Sequence, residues 1–165
     1  MCTPHPDPEG IVVSCAVITV SDTRSYETDR SGKLIRELLL KSGHRVEEYL
    51  IITDEPAQIQ HQLARLCDRP TLEALIFNGG TGIAPRDTTF DALAVLLEKT
   101  LPGFGELFRA LSYQEIGSRA IASRAIAGVY RRRLVFSLPG SSNAVQLALQ
   151  QLILPELGHL TRQLK

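Results

Sequence analysis

A glycine-rich turn in the middle of the chain has the composition of an anion-binding segment. Gly79-Gly80-Thr81-Gly82 follows an apolar run, Leu72–Phe77, and precedes Arg86-Asp87 and a predicted helix. Glycines leave the backbone bare, so its N–H groups can approach an anion closely, and the start of the helix adds its dipole. The segment has neither the lysine of a Walker A loop nor the spacing G-x-G-x-x-G. The alternative is a tight strand-to-helix turn in which Asp87 or Thr88 caps the helix.

A second turn of similar character lies nearer the end of the sequence. Pro139-Gly140-Ser141-Ser142 follows a predicted strand, Leu134–Leu138, and precedes a predicted helix. Its serines could cap that helix, or they could hold a phosphate over the same N-terminus. Two such turns in one small sheet increase the chance that at least one of them binds a phosphate.

Carboxylates stand after two of the predicted strands. Asp54 follows the strand Arg45–Ile52, and Asp87 follows the next strand along the chain. If these strands are neighbours, both carboxylates overhang one crevice, because ligands of parallel sheets bind at the carboxyl ends of the strands. Two carboxylates beside a phosphate site suit Mg²⁺, which takes oxygen ligands from protein and phosphate together. Asp54 could instead cap the helix that begins at Pro56, and Ser21-Asp22 could form a ligand-binding rim or a simple turn.

Strands and helices alternate along the sequence, which predicts an α/β fold with a mainly parallel sheet. Apolar and β-branched runs predict strands at Ile11–Val20, Arg45–Ile52, Leu72–Phe77, Ala120–Tyr130 and Leu134–Leu138. Apolar residues at helical spacing predict helices at Ser31–Ser42, Pro56–Asp68, Thr88–Lys99, Pro102–Ile116 and Ser141–Leu152, with a last helical segment from Pro155. Arg131-Arg132-Arg133 falls where the last two strands join, and we interpret it as a solvated turn.

The composition argues against several classes of function. The 18 basic and 18 acidic residues balance, so we expect no nucleic-acid partner. The longest apolar runs fall short of the roughly eighteen residues of a membrane span, so we expect no membrane partner either. Three cysteines without C-x-x-C spacing favour a reducing, cytoplasmic location over a disulfide framework or a zinc site. Residues 1–10 carry three prolines and are predicted to be a disordered tail, which leaves residues 11–165 as one domain.

Five motifs follow one another in a fixed order along the chain. They are Ile18-Thr19-Val20-Ser21-Asp22, Gly79-Gly80-Thr81-Gly82 with Asp87, Pro102-Gly103-Phe104-Gly105-Glu106, residues 123–129 (SRAIAGV) and Leu138-Pro139-Gly140-Ser141. Together they resemble the MoaB/Mog family of molybdenum cofactor biosynthesis proteins. The likeness runs from about residue 11 to the end of the chain, and residues 103–129 are more similar to the MoaB branch than to the Mog branch.

The resemblance implies a three-layer α/β/α fold in a homotrimer or homohexamer. Active members of the family are molybdopterin adenylyltransferases. They join the terminal phosphate of molybdopterin to AMP from Mg·ATP, release pyrophosphate and supply a molybdate-inserting partner enzyme. The family's two essential aspartates fall on Asp54 and Asp87, so these residues are expected to be catalytic and to bind Mg²⁺. The pterin phosphate is expected against Gly79–Gly82, with Pro139–Ser142 and Ser21-Asp22 also lining the site. The alternative is a protein that binds or carries molybdopterin without adenylating it.

Overall fold

Residues 10–165, the part of the chain that the computed structural model describes, contain six strands in one sheet. The strands are β1 (Ser14–Val20), β2 (Arg45–Ile52), β3 (Ala74–Asn78), β4 (Lys99–Thr100), β5 (Ile126–Tyr130) and β6 (Arg133–Leu138). Their order across the sheet is β2-β1-β3-β6-β5-β4. β2, β1, β3 and β6 run parallel, and β5 pairs antiparallel with both β6 and β4. The predicted disordered tail lies outside the described residues, apart from Gly10.

Helices cover both faces of this sheet. They are α1 (Arg30–Lys41), α2 (Pro56–Cys67), α3 (Thr89–Ala94), α4 (Pro102–Ile116), α5 (Ser142–Ala148) and α6 (Leu154–Arg162), with a 3₁₀ turn at Gly117–Ala122 and a π-helical turn at Leu149–Ile153. α1, α4, α5 and α6 pack on one face, and α2 and α3 pack on the other. This arrangement confirms the predicted three-layer α/β/α fold. Among the described helices, none combines the length and the hydropathy that a membrane span requires.

The central strand β1 is apolar on both faces because helices cover both. Cys15 and Val17 belong to the apolar cluster on the α1 side, whereas Ala16 and Ile18 belong to the cluster on the α2 side. Successive side chains of a strand point to opposite faces, so a strand buried on both sides must be apolar throughout. The carboxyl ends of β1, β2, β3 and β6 emerge at one edge of the sheet, and this edge carries the residues discussed below.

The segment after the glycine-rich turn differs from the predicted helix Thr88–Lys99. α3 ends at Ala94, and Lys99–Thr100 forms the edge strand β4 instead. Leu96 and Leu97 still pack against the apolar cluster on the α2 side, although they lie in the connection between helix and strand. The spacing of these apolar residues therefore predicted correctly that they pack against the core. It did not predict their secondary structure, because they reach the core without being helical. Pairing with β5 decided the conformation of the last residues.

The predicted strand Ala120–Tyr130 is right only in its second half. Residues 117–122 form the 3₁₀ turn, and β5 begins at Ile126. Gly117 ends α4 with a φ of 62°, a left-handed conformation that glycine adopts without steric cost. The extra turn brings Ala122 and Ser123 to the edge of the sheet where the parallel strands end. The predicted bounds of β2 and α4 agree with the structure.

Candidate functional site

A cavity of about 550 Å³ opens at the carboxyl ends of the parallel strands. The residues predicted from the sequence that line it are Ser21, Asp22, Asp54, Gly79, Gly80, Thr81, Gly82, Asp87, Pro139 and Gly140. These residues follow four different strands, so the parallel sheet brings together segments that are far apart in the chain. The cavity is also lined by Val20, Thr23, Arg24, Arg86, Ala122 and Ser123. Two predicted site residues, Ser141 and Ser142, do not line it.

Asp54 is buried at the end of β2, and its two carboxylate oxygens have different surroundings. Oδ1 accepts hydrogen bonds from the backbone N–H of Thr88 at 3.1 Å, from the Thr88 hydroxyl at 2.7 Å and from the Thr89 hydroxyl at 3.3 Å. Within residues 10–165, no donor hydrogen-bonds to Oδ2. Asp54 thus caps the start of α3, not the helix that follows it in sequence, and it is also one of the residues that line the cavity. Glu55 occupies the cap position of α2 and makes no side-chain cap bond.

Asp87 stands at the other side of the same turn, and its carboxylate is lightly constrained. Its Oδ2 accepts a hydrogen bond from the backbone N–H of Ala84 at 3.2 Å, and its own N–H donates to the Ala84 carbonyl. Asp87 does not cap α3, which begins two residues later with Thr88 in the cap position. The carboxylate therefore lines the cavity and contributes little to holding the turn or the helix in place.

An ion-pair cluster joins the turn after β1 to the turns after β2 and β3. The Oδ1 atom of Asp22 accepts a hydrogen bond from the backbone N–H of Asp54 at 3.0 Å, and its Oδ2 lies 2.9 Å from the Arg86 guanidinium. Arg86 also donates to Glu55 at 2.7 Å. The pKa of Asp22 is lowered, first by the Asp54 N–H and then by Arg86, so Asp22 remains a carboxylate. The cluster holds the segment that contains Asp54 in place at the edge of the cavity.

Two glycines allow the turn after β3 to fold back against its neighbours. Gly79 and Gly80 have φ values of 104° and 61°, which side chains other than glycine rarely adopt. A Cβ atom on Gly79 would overlap the backbone carbonyl of Val20, and one on Gly80 would overlap the Asp54 carboxylate and the Thr89 hydroxyl. A side chain at position 80 would thus be directed into the protein.

The turn after β6 contributes backbone and caps a helix with its serine. The Ser141 hydroxyl oxygen accepts a hydrogen bond from the backbone N–H of Ala144 at 3.2 Å and caps α5, whose first residue is Ser142. This is the capping alternative that the sequence left open. Gly140 lies against Gly79, since a Cβ on Gly140 would be 3.1 Å from the Gly79 Cα. The two glycine-containing turns therefore meet directly.

A buried polar network beneath the cavity was missed by sequence reasoning. Asp29 is completely buried at the cap of α1 and accepts hydrogen bonds from the Thr19 hydroxyl at 2.5 Å, the Tyr49 hydroxyl at 2.7 Å and the Gly32 N–H at 3.0 Å. Burial acts to raise the pKa of Asp29, but the donated hydrogen bonds outweigh it and the pKa is lowered. An aspartate three residues before Gly32 at the start of an apolar helical stripe is a cap signal, which could have marked it.

Arg24 and Ser123 also line the cavity and were not predicted. Arg24 lies in the polar turn between β1 and α1, and its guanidinium donates to the Gly140 carbonyl at 2.8 Å. Ser123 lies just before β5 in one of the motifs quoted for the family resemblance, although no role was assigned to it. Neither residue has a local pattern that distinguishes it from ordinary surface polar residues.

A hard divalent cation fits the donor set of this cavity. Asp54 and Asp87 both line this cavity and carry carboxylate oxygens, which are the donors that such a cation prefers. The described residues contain no group of three or more His, Cys, Asp or Glu side chains able to hold a metal ion by themselves. A cation held here would take its remaining ligands from water and from a bound phosphate, which is how proteins usually bind Mg²⁺.

Comparison with known proteins gives the family. A family model described as a probable molybdopterin binding domain matches residues 16–159. The chain belongs to this family. The molybdenum cofactor biosynthesis protein B of Halalkalibacterium halodurans is 56% identical over 153 residues, which are 92% of this chain and 90% of that protein. This relative places the chain in the MoaB branch.

Two solved structures have the same fold over nearly the whole chain. A crystal structure of a molybdenum cofactor biosynthesis protein B is 50% identical, with a TM-score of 0.91, and the match covers 93% of this chain and 96% of that one. The tungsten cofactor synthesizing protein MoaB from Pyrococcus furiosus is 37% identical, with a TM-score of 0.83, and covers 95% of this chain and 98% of that one. The MoaB fold therefore extends through all six strands described above.

Proposed function

We propose that the protein is a molybdopterin adenylyltransferase of molybdenum cofactor biosynthesis. The observation that carries the proposal is the shared cavity of Asp54 and Asp87, in which one oxygen of Asp54 accepts no hydrogen bond from residues 10–165 and two glycine-containing turns meet. Membership of a family described as molybdopterin-binding and similarity to relatives named for molybdenum cofactor biosynthesis point to the pterin substrate. ATP is the proposed co-substrate, and a cytoplasmic location follows from the same assignment.

The reaction that fits this site is transfer of AMP to a phosphate. An oxygen of the terminal phosphate of molybdopterin attacks the α-phosphorus of ATP, a new P–O–P bond forms, and the bond to the leaving pyrophosphate breaks. The substrate supplies the nucleophile, so the protein needs to position the two phosphates and to offset their charge. Bound Mg²⁺, held by Asp54 and Asp87, would supply positive charge to the triphosphate. The backbone of Gly79–Gly82 would bind phosphate oxygens.

A second candidate function is binding or carriage of molybdopterin without adenylyl transfer. It is favoured by the structural role of Asp54, because the hydrogen bonds from Thr88 and Thr89 would explain a buried aspartate without any chemistry. The two candidates share the cavity and differ only in turnover. A homotrimer or homohexamer and a molybdate-inserting partner enzyme stay predictions under either candidate.

The test is a direct assay with the purified full chain. Molybdopterin and Mg·ATP are incubated with the protein, and adenylylated pterin and pyrophosphate are measured by chromatography and a coupled assay. We expect both products in equal amounts, with loss of both when EDTA is added and recovery when excess Mg²⁺ is restored. Tight binding of molybdopterin without either product would reject the transferase in favour of the carrier.

A further inference from the structure

The glycine turn, Gly79–Gly82, has differently charged neighbours at its two ends. At one end, Gly80 adjoins the Asp54 carboxylate and Gly82 adjoins the Asp87 carboxylate. At the other end, Gly79 adjoins Gly140, whose nearest side-chain atom belongs to the Arg24 guanidinium at 3.6 Å from the position of its Cβ. The cavity is therefore polarised along a single stretch of backbone, with carboxylates at one end and a guanidinium at the other.

Arg24 is held in place but retains donors for a ligand. Its guanidinium donates to the Ser31 hydroxyl at 2.5 Å and to the Gly140 carbonyl at 2.8 Å, and it lies 3.5 Å from the Asp29 carboxylate. A guanidinium carries five N–H groups in a planar fork. Among the described residues no acceptor contacts Nε, and the side chain is 32% exposed in a position that lines the cavity. Arg24 can thus bind a further anion without giving up its present partners.

The other arginine of the cavity differs from Arg24 because two carboxylates balance its charge. Arg86 is ion-paired to both Asp22 and Glu55, at 2.9 Å and 2.7 Å. It is tied to the carboxylate end of the turn, where its charge is balanced by two acids. Arg24 faces one carboxylate, and that carboxylate is itself stabilised by the hydroxyls of Thr19 and Tyr49.

The network around Asp29 fixes the orientation of the Arg24 guanidinium. Ser31, which accepts from Arg24, donates to the Asn78 side-chain carbonyl at 2.7 Å, and Asn78 donates to the Thr19 hydroxyl at 2.9 Å. These residues belong to β1, β3 and the start of α1. The hydrogen bonds therefore hold the guanidinium in a fixed position relative to the central strands. Arginine that is ordered before binding loses less conformational entropy when a phosphate arrives.

We propose that Arg24 is the anion anchor of the cavity and binds the phosphate monoester of the pterin substrate where Gly79 and Gly140 meet. This assignment rests on the proposed function for the identity of the pterin. The metal-bound nucleotide then occupies the opposite end, beside Asp54 and Asp87. Gly79 and Gly82 are three residues apart, so their Cα atoms are separated by at most about 10 Å. Reaction requires the attacking phosphate oxygen to come within about 3–3.5 Å of the α-phosphorus, so the two phosphates must lie nearer to each other than the two ends of the turn.

The test compares two fluorescent probes, a 6-alkylpterin that carries a phosphate monoester and the same pterin without the phosphate. Loss of a charge-assisted pair of hydrogen bonds should change affinity by about tenfold or more. We expect the parent protein to prefer the phosphorylated probe by this factor, Arg24→Gln to abolish the preference, and Arg24→Lys to recover part of it. A purely structural Arg24 would alter both affinities together and leave their ratio unchanged.

Two further variants separate ligand binding from folding. Arg24→Gln leaves Asp29 without its ion pair, so the double variant Arg24→Gln/Asp29→Asn restores charge balance, and it too should show no preference for the phosphorylated probe. Arg86→Gln removes the other cavity arginine and should retain the preference. Thermal midpoints are recorded for all variants.

Three results would contradict the proposal that Arg24 binds the phosphate. They are equal binding of both probes by the parent, an unchanged preference for the phosphorylated probe in Arg24→Gln, or a loss of that preference in Arg86→Gln as large as in Arg24→Gln. A parent that prefers the phosphorylated probe through Arg24 but forms no adenylylated pterin would instead reject the proposed function and retain the anchor.

Discussion

Replacing Asp54 by asparagine tests whether this residue is a metal ligand or only a helix cap. Asparagine keeps a carbonyl oxygen in the place of Oδ1, which can still accept from Thr88 and Thr89. It replaces Oδ2 by an NH₂ group, which cannot bind a cation. The change therefore preserves the cap and removes the feature that the transferase needs. We expect Asp54→Asn to fold and to bind pterin, with turnover lost.

The size of the two effects can be estimated from the contacts of Oδ1. A hydrogen bond to a charged acceptor contributes about 1 kcal/mol more than one to a neutral acceptor. With three such bonds sharing one oxygen, a total loss of about 1–2 kcal/mol is reasonable, which corresponds to a fall of about 2–8 °C in the thermal midpoint for a domain of this size. Removal of an electrostatic contact to the transition state typically costs about 3 kcal/mol, or about 100-fold in rate. Turnover should thus fall far more than stability.

The assay measures adenylylated pterin at saturating Mg·ATP, together with pterin affinity and the thermal midpoint. Asp54→Ser serves as the contrast, because serine is too short to reach Thr88 and should lower the midpoint more than asparagine does. If Asp54→Asn retained turnover within threefold of the parent, Asp54 would be a cap and the metal assignment would be wrong. Equal loss of folding and turnover in both variants would also contradict the reasoning.

Three further results are expected. Asp87→Asn should lower turnover by about 100-fold while the thermal midpoint changes by less than in Asp54→Asn, because in the described part of the chain one backbone N–H is the only donor to the Asp87 carboxylate. Near-normal turnover would contradict its role. Gly80→Ala should lower the midpoint, since the left-handed φ alone costs about 1–2 kcal/mol, whereas Gly103→Ala, with open space around its Cβ, should not. The Asp29 carboxyl has a folded pKa below its ordinary value of 3.8, so its contribution to stability is present above pH 3.8 and is lost as the pH falls through the folded pKa. Acid unfolding should therefore be less steep in pH for Asp29→Asn than for the parent, and identical slopes would exclude this linkage.

The parts of the site that the sequence predicted are those that follow strands. The glycine turn, Asp54 and Pro139-Gly140 each come directly after an apolar run that forms a parallel strand, and parallel strands deliver their carboxyl ends to one edge. Local pattern and one topological rule were sufficient to group them. Ser141 was grouped with them for the same reason, and its hydroxyl is used for capping because a helix starts immediately after it.

The parts that were missed depend on contacts between distant segments. Arg24 acquires its position from Gly140, which is 116 residues away, and Asp29 from hydroxyls on β1 and β2. In the sequence, both residues belong to a polar segment of ten residues, Ser21–Arg30. Nothing in the local pattern distinguishes them from the other polar side chains of that segment. Burial distinguishes Asp29 from its neighbours, and burial of a polar turn residue has no periodic signature. The edge strand β4 was missed because two residues are too few to carry a strand pattern.

Residues that hold the site together also hold the fold together, and this limits what loss of activity can show. Asp54 caps α3 through Oδ1, Gly80 makes room for that carboxylate, and Arg24 joins the turn after β6 to the network around Asp29. An alanine substitution at position 54 or 24 would remove a structural contact together with a ligand contact, and an inactive variant would fit either role. Substitutions that preserve shape and remove one chemical property, such as Asp54→Asn and Arg24→Lys, separate the two. For this cavity, the informative measurement is the difference between the change in turnover or ligand preference and the change in stability.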